Sequence, residues 1–197
     1  PHTEDFIIAT TNLTGYYKLT GNYDKGIKSL KSLLLKVDDS QDSTLLSSKA
    51  RIFDHISALY SLKGDYETSL KYSDQALKIR KEIIPEKHVD RISNLLNNAY
   101  LNKKLFRYEI AIEILKKIEG ILENNYDPTE GIYGRFYIRL YDYYSETYLE
   151  LNNENELRKY VEKLSGLFTS GNRNNKIRLY RLLGKIEMLQ NNYKEAF

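Results

Sequence analysis

Three histidines, His2, His55 and His88, are the side chains of this 197-residue sequence best suited to metal binding or proton transfer. They lie in different units or at the start of the chain, and no two of them stand at the spacing of a metal-ligand pair. There is no cysteine, so disulfides and thiolate metal sites are excluded. No His-Glu-x-x-His, Gly-x-Ser-x-Gly or phosphate-cradling glycine loop occurs. Asp and Glu are abundant, as on any solvated helix, and carboxylate pairs carry no signal against that background. The expected chemistry is therefore recognition, with no enzymatic activity, catalytic residue, metal or cofactor. Tyrosine is the unusual abundance at 18 copies, and Tyr137, Tyr141, Tyr143, Tyr144 and Tyr148 crowd one segment. Helical spacing assigns Tyr141, Tyr144 and Tyr148 to packing and leaves Tyr143 as a candidate contact surface.

The elements that would position such residues are helical. Three prolines and ten glycines leave few breakers, while six Phe and 18 Tyr supply bulky packing surface. Thirty basic and 27 acidic residues give a formal charge of +3 with the signs interleaved, which argues for a solvated surface and against direct nucleic-acid binding. No apolar run approaches the ~20 residues of a membrane-spanning helix. The chain opens at Pro1 without a methionine and closes at Phe197 inside a helical pattern, so the expectation is a piece of a longer or processed protein.

A repeat organises the sequence. Gly21-Asn22-Tyr23-Asp24-Lys25-Gly26-Ile27 returns as Gly64-Asp65-Tyr66-Glu67-Thr68-Ser69-Leu70, as Phe106-Arg107-Tyr108-Glu109-Ile110-Ala111-Ile112 and as Asn191-Asn192-Tyr193-Lys194-Glu195-Ala196-Phe197. A weaker copy spans Asn152 to Leu157, and successive Tyr positions stand 43, 42, 46 and 39 residues apart. Nine residues before each of them lies a small or short residue: Thr14, Ser57, Ala99, Ser145 and Gly184. The partner position on the following helix holds Gly26, Ser69, Ala111, Leu157 and Ala196. Two helices cross closely only where side chains are short, so this pairing predicts a repeated tight crossing. Four residues before the small position stand Thr10, Phe53, Leu95, Tyr141 and Tyr180, the expected core side of the first helix. Gly21, Gly64, Asn152 and Asn191 share the turn position, where a left-handed backbone is usual, and Phe106 predicts a different turn in the third unit.

These motifs resemble the tetratricopeptide repeat (TPR) family, whose unit is a helix–turn–helix, and the longer spacing is similar to its long-period variety in kinesin light chains and bacterial regulators. The best copies are Phe53–Ala76 and Tyr180–Phe197. The resemblance implies an all-α superhelix, a right-handed solenoid of about five hairpins, over units of approximately 4–40, 44–85, 87–126, 129–170 and 173–197. First helices are expected near 4–19, 44–62, 87–104, 129–151 and 173–190, and second helices near 23–36, 66–84, 107–125, 154–168 and from 193.

Counting from the core positions places a binding groove on the first helices. Its expected members are Asn12, Asp54, His55, Asn97, Tyr100, Asp142, Tyr143, Glu146, Arg181 and Lys185, with Arg51, Arg139 and Arg178 at the rim. The family's peptide-carboxylate clamp would need a Lys, Asn and Arg set, and the matching places hold Thr11, Gly15, Asn97 and Ser93 instead. A mixed acidic, basic and aromatic groove suits a protein or peptide partner. The resemblance implies the sensory or regulatory part of a bacterial signalling protein or transcription regulator, cytoplasmic or periplasmic. A stand-alone scaffold or assembly factor is the alternative, and homodimerisation through an open apolar face of the fifth unit is a further expectation.

Overall fold

The computed structural model describes residues 3–35, 43–129, 131–168 and 173–191. Every regular element among them is an α-helix. The chain divides into two compact units, residues 1–106 and 107–197. In the first unit α1 (Thr3–Thr20), α2 (Tyr23–Leu34), α3 (Ser43–Leu62), α4 (Tyr66–Ile83) and α5 (Val89–Lys104) follow one another. The second holds α6 (Tyr108–Asn125), α7 (Gly131–Glu150), α8 (Glu154–Gly166) and α9 (Arg173–Asn191). Each helix packs on its chain neighbour within the unit, and α1 also packs on α3. The all-α hairpin architecture thus follows the expected order.

The hairpins close where side chains are short. In the second, the Ser57 and Ser69 hydroxyls meet at 3.0 Å, and Ser69 Oγ donates to the Ser57 carbonyl at 2.8 Å. Both are fully buried, so the crossing is satisfied by hydrogen bonds as well as by close packing. In the first hairpin the crossing residue is Gly26, where a Cβ would stand 2.7 Å from Leu59 Cδ1 and 2.9 Å from Tyr17 Cβ. Around it Ile27, Leu30, Ile52, Ile56 and Leu59 form the core of α2 and α3, with Tyr17 of α1 packed against them. At Gly184 a Cβ would meet nothing within 4 Å, and its expected partner, Ala196, lies outside the described residues.

The turns correct one expectation. Phe106 adopts φ +59°, in line with +70° at Gly21, +81° at Gly64 and +51° at Asn152. The third turn therefore has the same left-handed residue as the others, because the change of direction between helices dictates the backbone and the residue type only sets its cost. Phe106 leaves 76% of its surface to solvent, so the turn does not use its bulk for burial. After the turn, side-chain oxygens cap two of the following helices: Asp65 Oδ1 accepts from the Thr68 amide at 3.1 Å and Asn153 Oδ1 from the Glu156 amide at 3.2 Å.

The core positions Thr10, Phe53, Leu95 and Tyr141 are buried as expected, whereas Tyr180 is 67% exposed. The helix pattern that would follow α9 begins at Tyr193, outside the described residues.

Candidate functional site

The first helices of the hairpins carry the expected recognition residues, and their burial sorts them by position. One step past the core residue, Leu96 is fully buried and Asp142 retains 1% exposure, while Asp54 is half-buried and Arg181 exposed. Asp142 is thus interior and does not line a groove. Helix α7 packs against both α6 and α8, so its buried arc is wider than the single stripe assumed from a spacing of three, four and seven. At two steps, Asn12 is exposed, His55, Asn97 and Tyr143 are half-buried, and Leu182 is buried. At five steps, Gly15, Ala58, Tyr100, Glu146 and Lys185 are half-buried without exception. Arg51 and Arg139 hold one further equivalent place, two residues before the core position, exposed in the first case and half-buried in the second. The backbone of Arg178 lies in α9, and its side chain is outside the described residues.

In the first unit, two of these residues are tied to a polar interior that pattern reading missed. Arg80 of α4, at 5% exposure, donates from Nη1 to Asp54 Oδ1 at 3.1 Å and to Asn94 Oδ1 at 2.9 Å, and its Nη2 forms an ion pair with Asp54 Oδ2. Asn94 of α5 in turn donates to Ser73 Oγ at 2.8 Å, and Asn97 to the same Ser73 hydroxyl at 3.0 Å. Burial raises the Asp54 carboxyl above the ordinary range against the opposing pull of Arg80. The signals were present in sequence: Arg80 stands four residues after Ala76 on the buried face, and Asn94, Asn98 and Asn102 recur every four. Asn98 Nδ2 donates to Asp74 at 2.7 Å and Asn102 Nδ2 to the Asn98 carbonyl at 2.9 Å. Tyr100 faces two ammonium groups, Lys103 and Lys104, at 5.6 and 5.7 Å from its ring centre.

His55 is held neutral. Burial, then the charges of Lys18 and Arg51, lower its pKa to about 4.

In the second unit α7 presents Arg139, Tyr143 and Glu146 at spacings of four and three. The Arg139 guanidinium lies 5.7 Å from the Tyr143 ring centre, and Arg181 of α9 reaches Glu146 at 3.3 Å. Tyr141, Tyr144 and Tyr148 pack inward as expected, and Tyr144 stacks on Tyr160 of α8 at 3.9 Å. Their hydroxyls donate to Glu119 Oε2 of α6 at 3.2 and 3.3 Å, and Lys163 donates to Glu119 Oε1 at 2.7 Å. Burial raises the phenol pKa of Tyr144 and Tyr160, with Glu119 adding to it, and moves Tyr141 up to about 12. Among the described residues no group of His, Asp and Glu is arranged to hold a metal ion. No helix among them is long and apolar enough to cross a membrane.

No family model matches the chain, and no curated protein matches it. Solved structures do. TPR-like repeats of a kinesin light chain-like protein from Podosopora anserina superpose with a TM-score of 0.71 at 11% identity, covering 99% of both chains. A variant of the same repeats gives 0.72 at 12% identity over 98% of both chains. BtubC (BKLC) from P. vanneervenii gives 0.68 at 14% identity over 96% of this chain and 87% of its own. At these identities the likeness bears on architecture, and it agrees with the small-residue crossings and left-handed turns: the chain has the fold of TPR-like helical repeat proteins.

Proposed function

We propose that the chain is a protein- or peptide-binding repeat module that contacts its partner through the first helices of the hairpins in each unit. The observation that carries this reading is the recurrence of one half-open strip at equivalent addresses. Arg51, His55 and Ala58 occupy it on α3, and Arg139, Tyr143 and Glu146 occupy it on α7. The scaffold repeats there with Arg51 matched by Arg139, while His55 gives way to Tyr143 and Ala58 to Glu146, which is how a repeat protein displays specificity on a fixed frame. TPR-like repeats generally mediate protein–protein interaction, and the structural neighbours share that scaffold.

Within that reading the module is the sensory or regulatory part of a bacterial signalling protein or transcription regulator, binding its partner without direct contact to nucleic acid. A stand-alone scaffold is the competing role. Coding sequence downstream of Phe197 separates the two: a kinase, membrane helix or helix-turn-helix pattern supports the first, and a capping helix before a stop supports the second. For the binding surface, peptides selected from a random library are titrated calorimetrically against the chain and its Tyr100→Ala and Tyr143→Ala variants. Each ring contributes on the order of 1–2 kcal/mol where it packs on ligand, a five- to thirty-fold loss of affinity. Unchanged affinity in both variants for every selected peptide removes the strip as the contact surface.

A further inference from the structure

Large apolar side chains stand in water at all three hairpin turns of the first unit. Leu19 leaves 90% of its surface to solvent, Phe106 76% and Leu62 51%. Leu19 and Leu62 hold equivalent places at the ends of α1 and α3, each two residues before the glycine of its turn, and Phe106 is itself the turn residue after α5. Contacts from turn to turn set them along one edge. Lys63 of the second turn pairs with Asp24 of the first, and Lys104 of the third reaches the Tyr66 ring of the second at 6.0 Å from its centre. Phe106 is the strained member. Gly21 and Gly64 take the left-handed backbone without a Cβ penalty, whereas Phe106 holds φ +59° in a turn closed by its amide on the Lys103 carbonyl at 3.0 Å. A bulky residue kept in that conformation and left exposed is a mark of function and not of folding. The edge is also cationic at this turn: Lys103 and Lys104 precede Phe106, and no Asp or Glu occurs between Asp90 and Glu109. Lys18 and Lys25 are exposed beside the first turn. Of the acids at the first two turns, Asp24 is bound to Lys63, Asp65 caps the Thr68 amide, and Glu67 is the third.

We propose that this edge rests on an anionic lipid surface, with Phe106, Leu62 and Leu19 entering the interfacial region and the neighbouring lysines lying among the headgroups. Side chains that project from separate turns line no groove, so a protein partner would need a pocket for each. A bilayer interface receives them without a matching shape. Lysines beside the apolar tips sit at headgroup depth, where anionic lipids attract them, and their aliphatic stems follow the tips inward. Tyr23 and Tyr66, half-buried at the same turns, are rings of the kind that an interface accommodates. The hydrogen-bonded turn holds the Phe106 ring outward before contact, so little ordering is left to the moment of binding. No helix among the described residues could cross a membrane, and this contact is peripheral and needs none. It goes beyond the peptide-binding reading and uses none of the residues of that strip.

The test is co-sedimentation of the full chain with vesicles of phosphatidylcholine alone and of phosphatidylcholine with roughly 30% phosphatidylserine. The chain sediments with the anionic vesicles and not with the neutral ones, and added salt weakens the association. Phe106→Gly weakens it roughly ten-fold or more, as the interfacial burial of one phenyl ring requires, while its denaturation midpoint rises because the left-handed strain is gone. Lost binding in a more stable protein does not come from a lost fold. Lys103→Gln/Lys104→Gln weakens binding to a similar degree with unchanged helical circular dichroism. The sequence holds no tryptophan, so the Phe106→Trp variant carries a single fluorophore at the point of entry. That variant keeps the binding, and its emission shifts to the blue on anionic vesicles. The proposal is overturned by a parent chain that stays in the supernatant with anionic vesicles, or that sediments equally with neutral ones. It is overturned equally by a Phe106→Gly variant that binds as the parent does, or by Phe106→Trp emission that vesicles leave unmoved. Edge capture by a blocked glutamate-rich peptide, with no binding to either vesicle, assigns the surface to a protein and overturns it as well.

Discussion

Replacing Asp54 with alanine should unfold the first unit more readily than replacing its partner, although Asp54 is the more accessible of the two. Arg80 is 5% exposed, and its guanidinium directs its hydrogen bonds to Asp54 and to Asn94 Oδ1. With the carboxylate gone, one neutral amide is left to balance a charge that arginine does not surrender in a protein interior. Breaking a buried pair from one side costs about 3–5 kcal/mol. The Asp54 side chain is 35% exposed, so water already screens part of the interaction, and about 2–3 kcal/mol is the expected loss. Arg80→Met is gentler, at about 1–2 kcal/mol, because the abandoned carboxylate sits near the surface and hydrates or takes up a proton. The double variant removes both charges, keeps apolar volume on α4, and should return to within about 1 kcal/mol of the parent. Urea unfolding followed by hydrogen exchange at α3–α5 amides reads this unit separately from the other. A double variant no better than the sum of the singles, or an Asp54→Ala loss below about 0.5 kcal/mol, shows that the charge pair is not what holds α3 to α4.

Phe106→Gly should stabilise by about 0.5–1 kcal/mol, because the left-handed penalty on a bulky residue exceeds the chain entropy that glycine adds; denaturation midpoints read it, and a loss refutes the assigned turn. Gly26→Ala gains helix propensity yet drives a methyl into Leu59 and the unyielding Tyr17 Cβ, for a net loss of about 1 kcal/mol in the same assay. Glu119→Ala strands two buried phenols and the Lys163 ammonium and should cost about 2–3 kcal/mol, while Tyr144→Phe, which removes one donor and keeps the ring, costs about 1 kcal/mol. For His55 the folded-state pKa of about 4 lies below the unfolded value, so the unfolded chain binds the extra proton and stability falls as pH drops from about 6.5 toward 4. Discounted for partial exposure, the loss relative to His55→Gln is roughly 2 kcal/mol, and parallel stability–pH curves for the two proteins would contradict it.

What could be read from residues alone was whatever repeats with a fixed offset. The crossing of Ser57 on Ser69 announces itself because two small residues recur at a set distance around a turn, and both lie within one hairpin. The polar interior does not, because its logic is pairwise and distant. Asn94 is satisfied by Ser73, 21 residues away, and Arg80 by Asp54, 26 away; taken singly, each is only a blemish in an apolar stripe. Asp142 shows the same limit for the groove. Periodicity gives the direction of a side chain from its own helix, while its burial depends on how many helices flank that one.

That difference sets which surface positions are free to specialise. Asp54 and Asn97 face partly outward, yet their polar atoms are bound to Arg80, Ser73 and Ser57, so altering them to suit a ligand disturbs the joint between α3, α4 and α5. The row five steps past the core residue makes its contacts nearer the surface, Glu146 with Arg181 and Tyr100 with Lys103 and Lys104, and it ranges from Gly15 and Ala58 to Tyr100, Glu146 and Lys185 at one level of burial. A repeat scaffold that must keep its crossings short and its buried polar groups paired can change its chemistry most cheaply there. Selection for a new peptide should therefore accumulate substitutions at Ala58, Tyr100 and Glu146 before it touches Asp54 or Asn97, and a selected library whose changes concentrate at the latter pair would show that the polar interior tolerates what its hydrogen bonds forbid.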